Sequence, residues 1–376
     1  MVMMLLFSLT FCAMASEKPY IVVDADDGGI ILQNRAQDQW HPASLTKLMT
    51  AWVTFQAIAN GEIENGSPVI ISAGASRQPP SKLGYKKGVQ LRVDKALEII
   101  IIKSANDVSH ALAEAVAGSV KSFVLRMNSE ARRLGMSNTN FTNSNGLHNA
   151  AQVSSARDMA LLSVKILTTF PQYRYMFSSV AINTATKTHY SYNLLLEHYR
   201  GTNGMKTGFV CASGYNIAAS ATRNGRTLVA VVLGRSSQTD RATFTAKLLT
   251  QGFSQAGSGS VFAPTETGTP AVNMRPQLCS PEARAARYDP VAGTATLTSP
   301  HLDKRVRSSQ ILEIRPGDID GPPSTASLVR ILKSLKSIAV PERRPNFDVA
   351  SGKIILPAIG VPATNNLAIP TARPRS

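Results

Sequence analysis

The chain has 376 residues, a formal net charge of +16 and a pI near 10.0, with 43% hydrophobic, 17% charged and only 6% aromatic residues. That length allows one large domain with an appendage, or two domains, and the apolar fraction is too high for a wholly disordered chain. No stretch reaches the ~18–20 apolar residues of a spanning helix, which excludes a polytopic membrane protein, and three cysteines exclude a disulfide scaffold or a Cys-built zinc module.

Residues 1–11 are almost purely apolar and lead to Ala13-Met14-Ala15, a small-x-small site before Ser16. This predicts a secretory signal peptide over 1–15, cleaved after Ala15; the rival is an uncleaved N-terminal anchor. The segment has no Lys or Arg ahead of its apolar run, so the true start is expected upstream of Met1. Cys12 leaves with the leader, and Cys211 and Cys279 then meet an oxidising compartment. Lying in very different segments, these two are expected to be unpaired rather than bridged.

Strands are predicted over 20–24 and 30–33, flanking Asp26-Asp27-Gly28-Gly29 as a β-hairpin. From Ser44 the pattern turns helical: Leu45, Leu48, Trp52, Phe55 and Ala59 recur at helical spacing, and Gly61 stops the run. Further helices are predicted over 94–102, 107–117, 122–134 and 155–167. Strands return over 204–211, 215–222 and 227–233, the last two joined by Arg223-Asn224-Gly225-Arg226, and a helix over 239–252 closes the segment. Strands at both ends with helices between predict one antiparallel sheet built from both termini, carrying an inserted helical lobe, with a site in the crevice between them.

Composition breaks near residue 255. Fifteen of the 21 prolines lie beyond it, and the only aromatics there are Phe262, Tyr288 and Phe347. The reading is a catalytic domain over 16–255, a small C-terminal module or linker over 256–340, and a disordered Pro-rich tail over 341–376. Within 327–339, Leu328, Ile331, Leu332, Leu335 and Ile338 share one helical face opposite Arg330, Lys333 and Lys336. That pattern fits an interfacial membrane anchor or a helix packed on its own module, and both readings stand. Charge is spread along the chain, and no nucleic-acid-reading motif accompanies it. The partners expected are anionic wall polymer or lipid head groups, not nucleic acid.

Ser44-Leu45-Thr46-Lys47 is the only Ser-x-x-Lys in the chain. Residues three apart on a helix share a face, so Lys47 can reach the Ser44 hydroxyl, and the helix N-terminus aims positive charge at an oxyanion forming beside it. A serine hydroxyl needs a base, and lysine serves only when neutral; moving its pKa from ~10.4 to ~7 costs about 4–5 kcal/mol. Burial and a neighbouring cation push in that direction. Lys206-Thr207-Gly208 is the only Lys-Thr-Gly and opens a predicted strand. Ser-x-Asn occurs as Ser104-Ala105-Asn106, between two lobe helices, and as Ser191-Tyr192-Asn193, which reads as a loop or strand edge. The first is the candidate, since its loop can face the sheet. None of the six histidines begins a His-Glu-x-x-His, and there is no Gly-x-Ser-x-Gly, so no metal or organic cofactor is implied.

Ser-x-x-Lys, Ser-x-Asn and Lys-Thr-Gly in this order, 60 and 102 residues apart, match the set of β-lactamases and penicillin-binding proteins. Over residues 18–255 the chain resembles the low-molecular-mass penicillin-binding proteins, serine D-alanyl-D-alanine carboxypeptidases of the DacA type. The likeness runs through Trp40-His41-Pro42-Ala43-Ser44-Leu45-Thr46-Lys47-Leu48-Met49-Thr50, Lys103-Ser104-Ala105-Asn106-Asp107, Phe141-Thr142-Asn143, Gly146-Leu147, Ser154-Ser155-Ala156-Arg157-Asp158-Met159-Ala160 and Gly204-Met205-Lys206-Thr207-Gly208.

The resemblance implies an α/β (α+β) penicillin-binding/β-lactamase-like fold, an antiparallel sheet with helices on both faces. It implies that Ser44 attacks the terminal D-Ala-D-Ala bond of a peptidoglycan stem, that Lys47 takes its proton, and that Ser104 protonates the leaving amine. Asn106 would hold the substrate amide and Lys47. Lys206, Thr207 and Arg241 would fix the terminal carboxylate, Gly208 would admit the ligand backbone, and the N–H groups of Ser44 and Phe209 would form the oxyanion hole. The implied partners are peptidoglycan muropeptides and β-lactam antibiotics; the leader predicts secretion across the inner membrane to the periplasm, and the segment 327–339 keeps peripheral contact with that membrane as one of its two readings. Two departures stand out. Phe209-Val210-Cys211 follows Lys-Thr-Gly where many relatives carry a polar pair, which bears on substrate preference; Cys211 is expected to be a buried strand residue. The loop 78–88 also differs, and places Tyr85 and Lys86 either against substrate or in solvent. The rival functions are a D,D-endopeptidase cutting cross-links, a serine β-lactamase, and a wall-binding scaffold without catalysis.

Overall fold

A computed structural model describes residues 18–184, 187–283, 299–303, 310–315, 318–320, 346–348 and 353–355. The predicted leader over 1–15 and the amphipathic segment over 327–339 lie outside the described residues.

Strands β1 (Tyr20–Asp24) and β2 (Ile30–Asn34) precede a 3₁₀ turn, Ala43–Leu45, and helix α1 (Thr46–Ala59). The lobe follows: β3 (Pro68–Ile70), α2 (Ala73–Ser76), β4 (Gln90–Arg92), α3 (Val93–Ile102), α4 (Asn106–Ala117), α5 (Val120–Leu134) and α6 (Ala156–Thr169). Short elements α7 (Arg174–Ser178), β5 (Ala181–Asn183), β6 (Thr188–Tyr190) and α8 (Leu195–His198) lead back to β7 (Thr202–Val210), β8 (Gly214–Arg223), β9 (Arg226–Arg235) and α9 (Gln238–Phe253).

The main sheet has the order β2-β1-β9-β8-β7, antiparallel throughout, so both ends of the catalytic segment meet at the β1–β9 pair. Successive side chains of a strand point to opposite faces. On β9, Val229, Val231 and Leu233 pack toward the lobe, while Leu228, Ala230 and Val232 pack toward Ala242, Ala246 and Leu249 of α9. Both faces are therefore covered by helices. Eleven of the 14 residues of α1 are buried, because this helix runs inside the lobe rather than over its surface. Local chemistry sets the helix ends. Ser119, Ser155 and Ser237 accept a backbone N–H at the starts of α5, α6 and α9, and Gly118 and Gly135 end α4 and α5 in the left-handed conformation.

Two expectations about the C-terminal side need correction. The boundary near 255 marks the end of α9, and residues 257–283, in the span expected to be a small module or linker, run back along the catalytic body. Val261 N donates to Gly28 O, Gln39 N to Thr269 O, and Met274 N to Ala212 O, at 2.8, 2.9 and 3.0 Å. The strap ends in α10 (Arg275–Cys279), and there Cys279 is bridged to Cys211 with Cα atoms 5.7 Å apart. The cysteines expected to be unpaired form a disulfide, because this strap brings a segment remote in sequence against the β7–β8 turn. Cys211 is accordingly a half-buried turn residue just beyond β7, not a buried strand residue. Farther on, β10 (Ile311–Glu313) adds parallel to β5, and β11 (Ile319–Asp320) antiparallel to β4. Within the tail expected to be disordered, β12 (Asn346–Asp348) and β13 (Lys353–Ile355) pair with each other. Among the described residues no helix is long and apolar enough to cross a membrane.

Candidate active site

The 3₁₀ turn places Ser44 at the mouth of α1, and the residues before it are pinned to β8 and its preceding turn. Trp40 Nε1 donates to Ser213 O at 2.8 Å; Asn216 Nδ2 donates to His41 O and Pro42 O at 2.9 and 3.2 Å. Ala43 has φ 48° and Ser104 φ 62°, left-handed values that residues other than glycine hold only where the surroundings impose them. Strand β7 passes directly against the turn. A Cβ on Gly208 would lie 2.8 Å from Pro42 O and 2.9 Å from Ser44 N, and one on Gly146 (φ 84°) would overlap the Ala43 carbonyl, so glycine is required at both.

Lys47, on the first turn of α1, is 0% exposed. Its Nζ lies 3.1 Å from Ser44 Oγ, 2.8 Å from Asn106 Oδ1 and 2.5 Å from the Asn145 backbone oxygen. Both of the latter are acceptors, since Asn106 Nδ2 is committed to Pro79 O at 2.9 Å and so fixes the amide orientation. A neutral amine has two N–H bonds and one lone pair. The two carbonyl oxygens take both hydrogens, and the lone pair is left to accept from the Ser44 hydroxyl. Burial first, then the charge of Lys206, hold Lys47 well below the usual lysine range; the carboxylate of Asp107 acts the other way.

Lys206 and Thr207 stand on β7, the edge strand of the main sheet, and both are buried. Lys206 Nζ donates to Thr207 O at 2.9 Å, and burial, aided by Arg241, brings its pKa down to about 7. Arg241, on α9 and 2% exposed, donates to Tyr192 O at 2.7 Å and Asn216 O at 3.3 Å. Ser44, Ser104, Asn106, Thr207, Gly208, Phe209 and Arg241 line one cleft of about 570 Å³. Lys47 and Lys206 each bond to a residue of that lining, so the structure brings all nine predicted residues together. Phe209 is exposed and packs at a tilt of 33° against Tyr215, with ring centroids 4.3 Å apart. The arrangement combines a hydroxyl, a desolvated amine, an open β-edge and a cationic end wall, which suits acyl transfer to serine from a substrate with a terminal carboxylate.

Asn145, which no motif in the sequence marks, accepts from Lys47 through its backbone oxygen and donates through Nδ2 to Gln78 Oε1 at 2.9 Å. Its neighbour Ser144 accepts through its backbone oxygen from Thr50 Oγ1 and Ser109 Oγ, tying this loop to α1 and α4. The signal was Asn145-Gly146, a turn pair that could not reveal its distant partner. The set-aside Ser191-Tyr192-Asn193 also borders the cleft: Tyr192 lines it, and Asn193 Nδ2 donates to Gly204 O at 2.9 Å. In the loop 78–88 the cleft residues are Pro80, Ser81 and Lys82, whereas Tyr85 packs partly into the lobe and Lys86 is exposed. Among the described residues no group of three or more His, Cys, Asp or Glu is placed to hold a metal ion.

The description of peptidase S11, D-alanyl-D-alanine carboxypeptidase, matches residues 12–237. The chain is 35% identical over 240 residues to D-alanyl-D-alanine carboxypeptidase DacA of Haemophilus influenzae, covering 62% of this chain and 61% of that protein. It is 36% identical over 251 residues to DacC of Escherichia coli, covering 63% and 61%. It thus spans less than two thirds of these relatives. Among solved structures, penicillin binding protein 5 from Haemophilus influenzae superposes with a TM-score of 0.61 at 34% identity, covering 64% of this chain and 71% of that one. Penicillin-Binding Protein D2 from Listeria monocytogenes, in its ampicillin-bound form, gives 0.58 at 29% identity, covering 64% and 99%.

Proposed function

Because the chain belongs to the D-alanyl-D-alanine carboxypeptidase family of S11 peptidases, we propose that it is a serine D,D-carboxypeptidase that removes the terminal D-alanine from peptidoglycan stem peptides and is acylated by β-lactams. The observation that carries this reading is the buried Lys47 amine, whose Nζ lies 3.1 Å from Ser44 Oγ.

In this mechanism Ser44 Oγ attacks the carbonyl between the two D-alanines as its proton passes to Lys47 Nζ. The N–H groups of Ser44 and Phe209 hold the oxyanion, and Lys206, Thr207 and Arg241 bind the substrate carboxylate. Asn106 orients the scissile amide and keeps Lys47 in place. Ser104 relays that proton from Lys47 to the leaving amine, which restores the neutral Lys47 amine and its own hydroxyl; the C–N bond breaks, and D-alanine departs. Water, deprotonated by Lys47, then cleaves the Ser44 ester. The apolar leader and the compatibility of the Cys211–Cys279 bridge with an oxidising compartment support a periplasmic location, and the basic, amphipathic segment 327–339 supports peripheral membrane contact.

Mass spectrometry of the purified chain with benzylpenicillin tests the reading. A covalent adduct is expected, absent in Ser44→Ala, together with D-alanine release from a pentapeptide. An unmodified wild type that releases no D-alanine overturns it.

A further inference from the structure

The cleft does not end at the group that would bind the substrate carboxylate. Arg241 Nη2 donates to the backbone oxygen of Tyr192, and the hydroxyl of that same tyrosine accepts from Lys103 Nζ at 3.1 Å. The Lys103 ammonium also sits 5.5 Å from the centroid of the Tyr192 ring, which is 36% exposed. Lys103 immediately precedes Ser104, the residue assigned to protonate the leaving amine. Two separate ties, one through Arg241 and Tyr192 and one through the chain itself, therefore fix Lys103 at the leaving-group end.

The charge there is left over. Lys103 lines the cleft and is half-buried, and among the described residues no carboxylate lies within ion-pair distance of it. The cleft lining contains no Asp or Glu. The neighbouring His189 on β6 adds no charge of either sign, since burial and the charges of Lys103 and Lys187 push its pKa down to about 4 and keep the imidazole neutral. A partly desolvated ammonium propped on an aromatic ring, with no anion of the protein beside it, is set to meet one brought by a ligand. The α-carboxylate of the leaving residue is already matched by Lys206, Thr207 and Arg241, so the group reaching Lys103 must be a second one.

We propose that Lys103 and Tyr192 form a leaving-side subsite that selects a D-amino acid carrying a second carboxylate. This deepens the acyl-transfer reading and rests on it. The chemistry is unchanged: the acyl group passes to Ser44, the scissile C–N bond breaks, and the amine leaves protonated as a dicarboxylic amino acid.

The test uses the full chain and N-acylated stem peptides ending in D-Ala-D-Ala, D-Ala-D-Glu or D-Ala-D-Lys, compared by kcat/KM. Wild type is expected to favour D-Glu over D-Lys by about tenfold, the scale of one hydrogen-bonded charge. Added salt should shrink that ratio. Lys103→Met should bring it near unity, and Lys103→Glu should invert it, with thermal melting used to confirm that each variant is folded. A ratio that is near unity in wild type, or the same in wild type and both variants, overturns the subsite. If that occurs while wild type still forms the penicillin adduct at Ser44, the carboxypeptidase reading stands without it; if wild type forms no adduct and cleaves none of the three peptides, both fall.

Discussion

Gly208 on β7 and Ser44 on the 3₁₀ turn approach so closely that a methyl group on the glycine would sit 2.9 Å from the Ser44 nitrogen. The other atoms it would meet, Pro42 O at 2.8 Å and Leu45 N at 3.1 Å, are backbone as well, so no flexible side chain can swing away. Gly208→Ala must therefore part the strand from the turn, displacing the nucleophile relative to the β-edge. A misplacement near 1 Å costs on the order of 100-fold in rate. The expected outcome is a fall of that size in the penicillin acylation rate, measured by stopped-flow, with the Ser44 adduct still forming slowly. An unchanged rate would contradict the close packing.

The two buried lysines predict opposite limbs of a pH profile. Lys47 acts only when neutral, so acylation is lost as pH falls through its depressed pKa. Lys206 binds a carboxylate only when charged, and its free-enzyme pKa is about 7. Since kcat/KM reports the free enzyme, its value for a peptide with a free terminal carboxylate should decline as pH rises through about 7. The same peptide capped as a C-terminal amide should lack that decline. Parallel profiles for the two peptides would remove Lys206 from carboxylate binding.

The sequence disclosed the parts of this site that are local or periodic. Ser44 and Lys47 are one helical turn apart, Lys206–Gly208 open a predicted strand, and the Asn224-Gly225 turn ties β8 to β9. The two sheet-forming ends were also legible, since β1 and β9 are runs of apolar residues covered on both faces. What stayed hidden depends on contacts far apart in the chain. The Lys47–Asn145 bond spans 98 residues, and nothing near Asn145 records that partner. Tyr192 is a loop residue whose importance comes only from meeting Lys103, 89 residues away. The proline-rich composition after residue 255 predicts a small module or a linker, and proline and few aromatics are equally compatible with a strap that borrows its order from the surface it crosses.

The Cys211–Cys279 bridge closes a loop of 68 residues and fastens that strap beside the end of β7. In a chain-entropy account a loop of this length stabilises by at most roughly 4 kcal/mol. Paired substitution to serine, Cys211→Ser with Cys279→Ser, should lower the urea midpoint measurably. The backbone bonds of Val261 and Met274 remain, so the strap should loosen first at α10 and expose the β7–β8 turn to protease before the core opens. Limited proteolysis with and without reductant checks this. Equal cleavage patterns and midpoints would mean that the strap is held by its other contacts alone.

Asp107 is 0% exposed and accepts backbone N–H groups from Leu83, Gly84 and Val108 at 3.3, 2.8 and 2.9 Å. It thereby clamps the loop that carries Pro79 and Ser81, whose carbonyl oxygens in turn accept from Asn106. Asp107→Asn keeps the shape but replaces one acceptor oxygen by an NH₂ facing backbone donors, a loss of about 1–3 kcal/mol in stability. The charge change acts separately. The Asp107 carboxylate is the influence that raises the pKa of Lys47 against burial and Lys206, so its removal lets that pKa fall further. A lower pKa keeps Lys47 neutral to more acid conditions, and the acid limb of the acylation profile should move to lower pH. Penicillin acylation measured across pH in wild type and Asp107→Asn decides the matter: a slower reaction with an unmoved limb would leave Asp107 as a clamp only, and a limb displaced to higher pH would contradict Lys47 as the base.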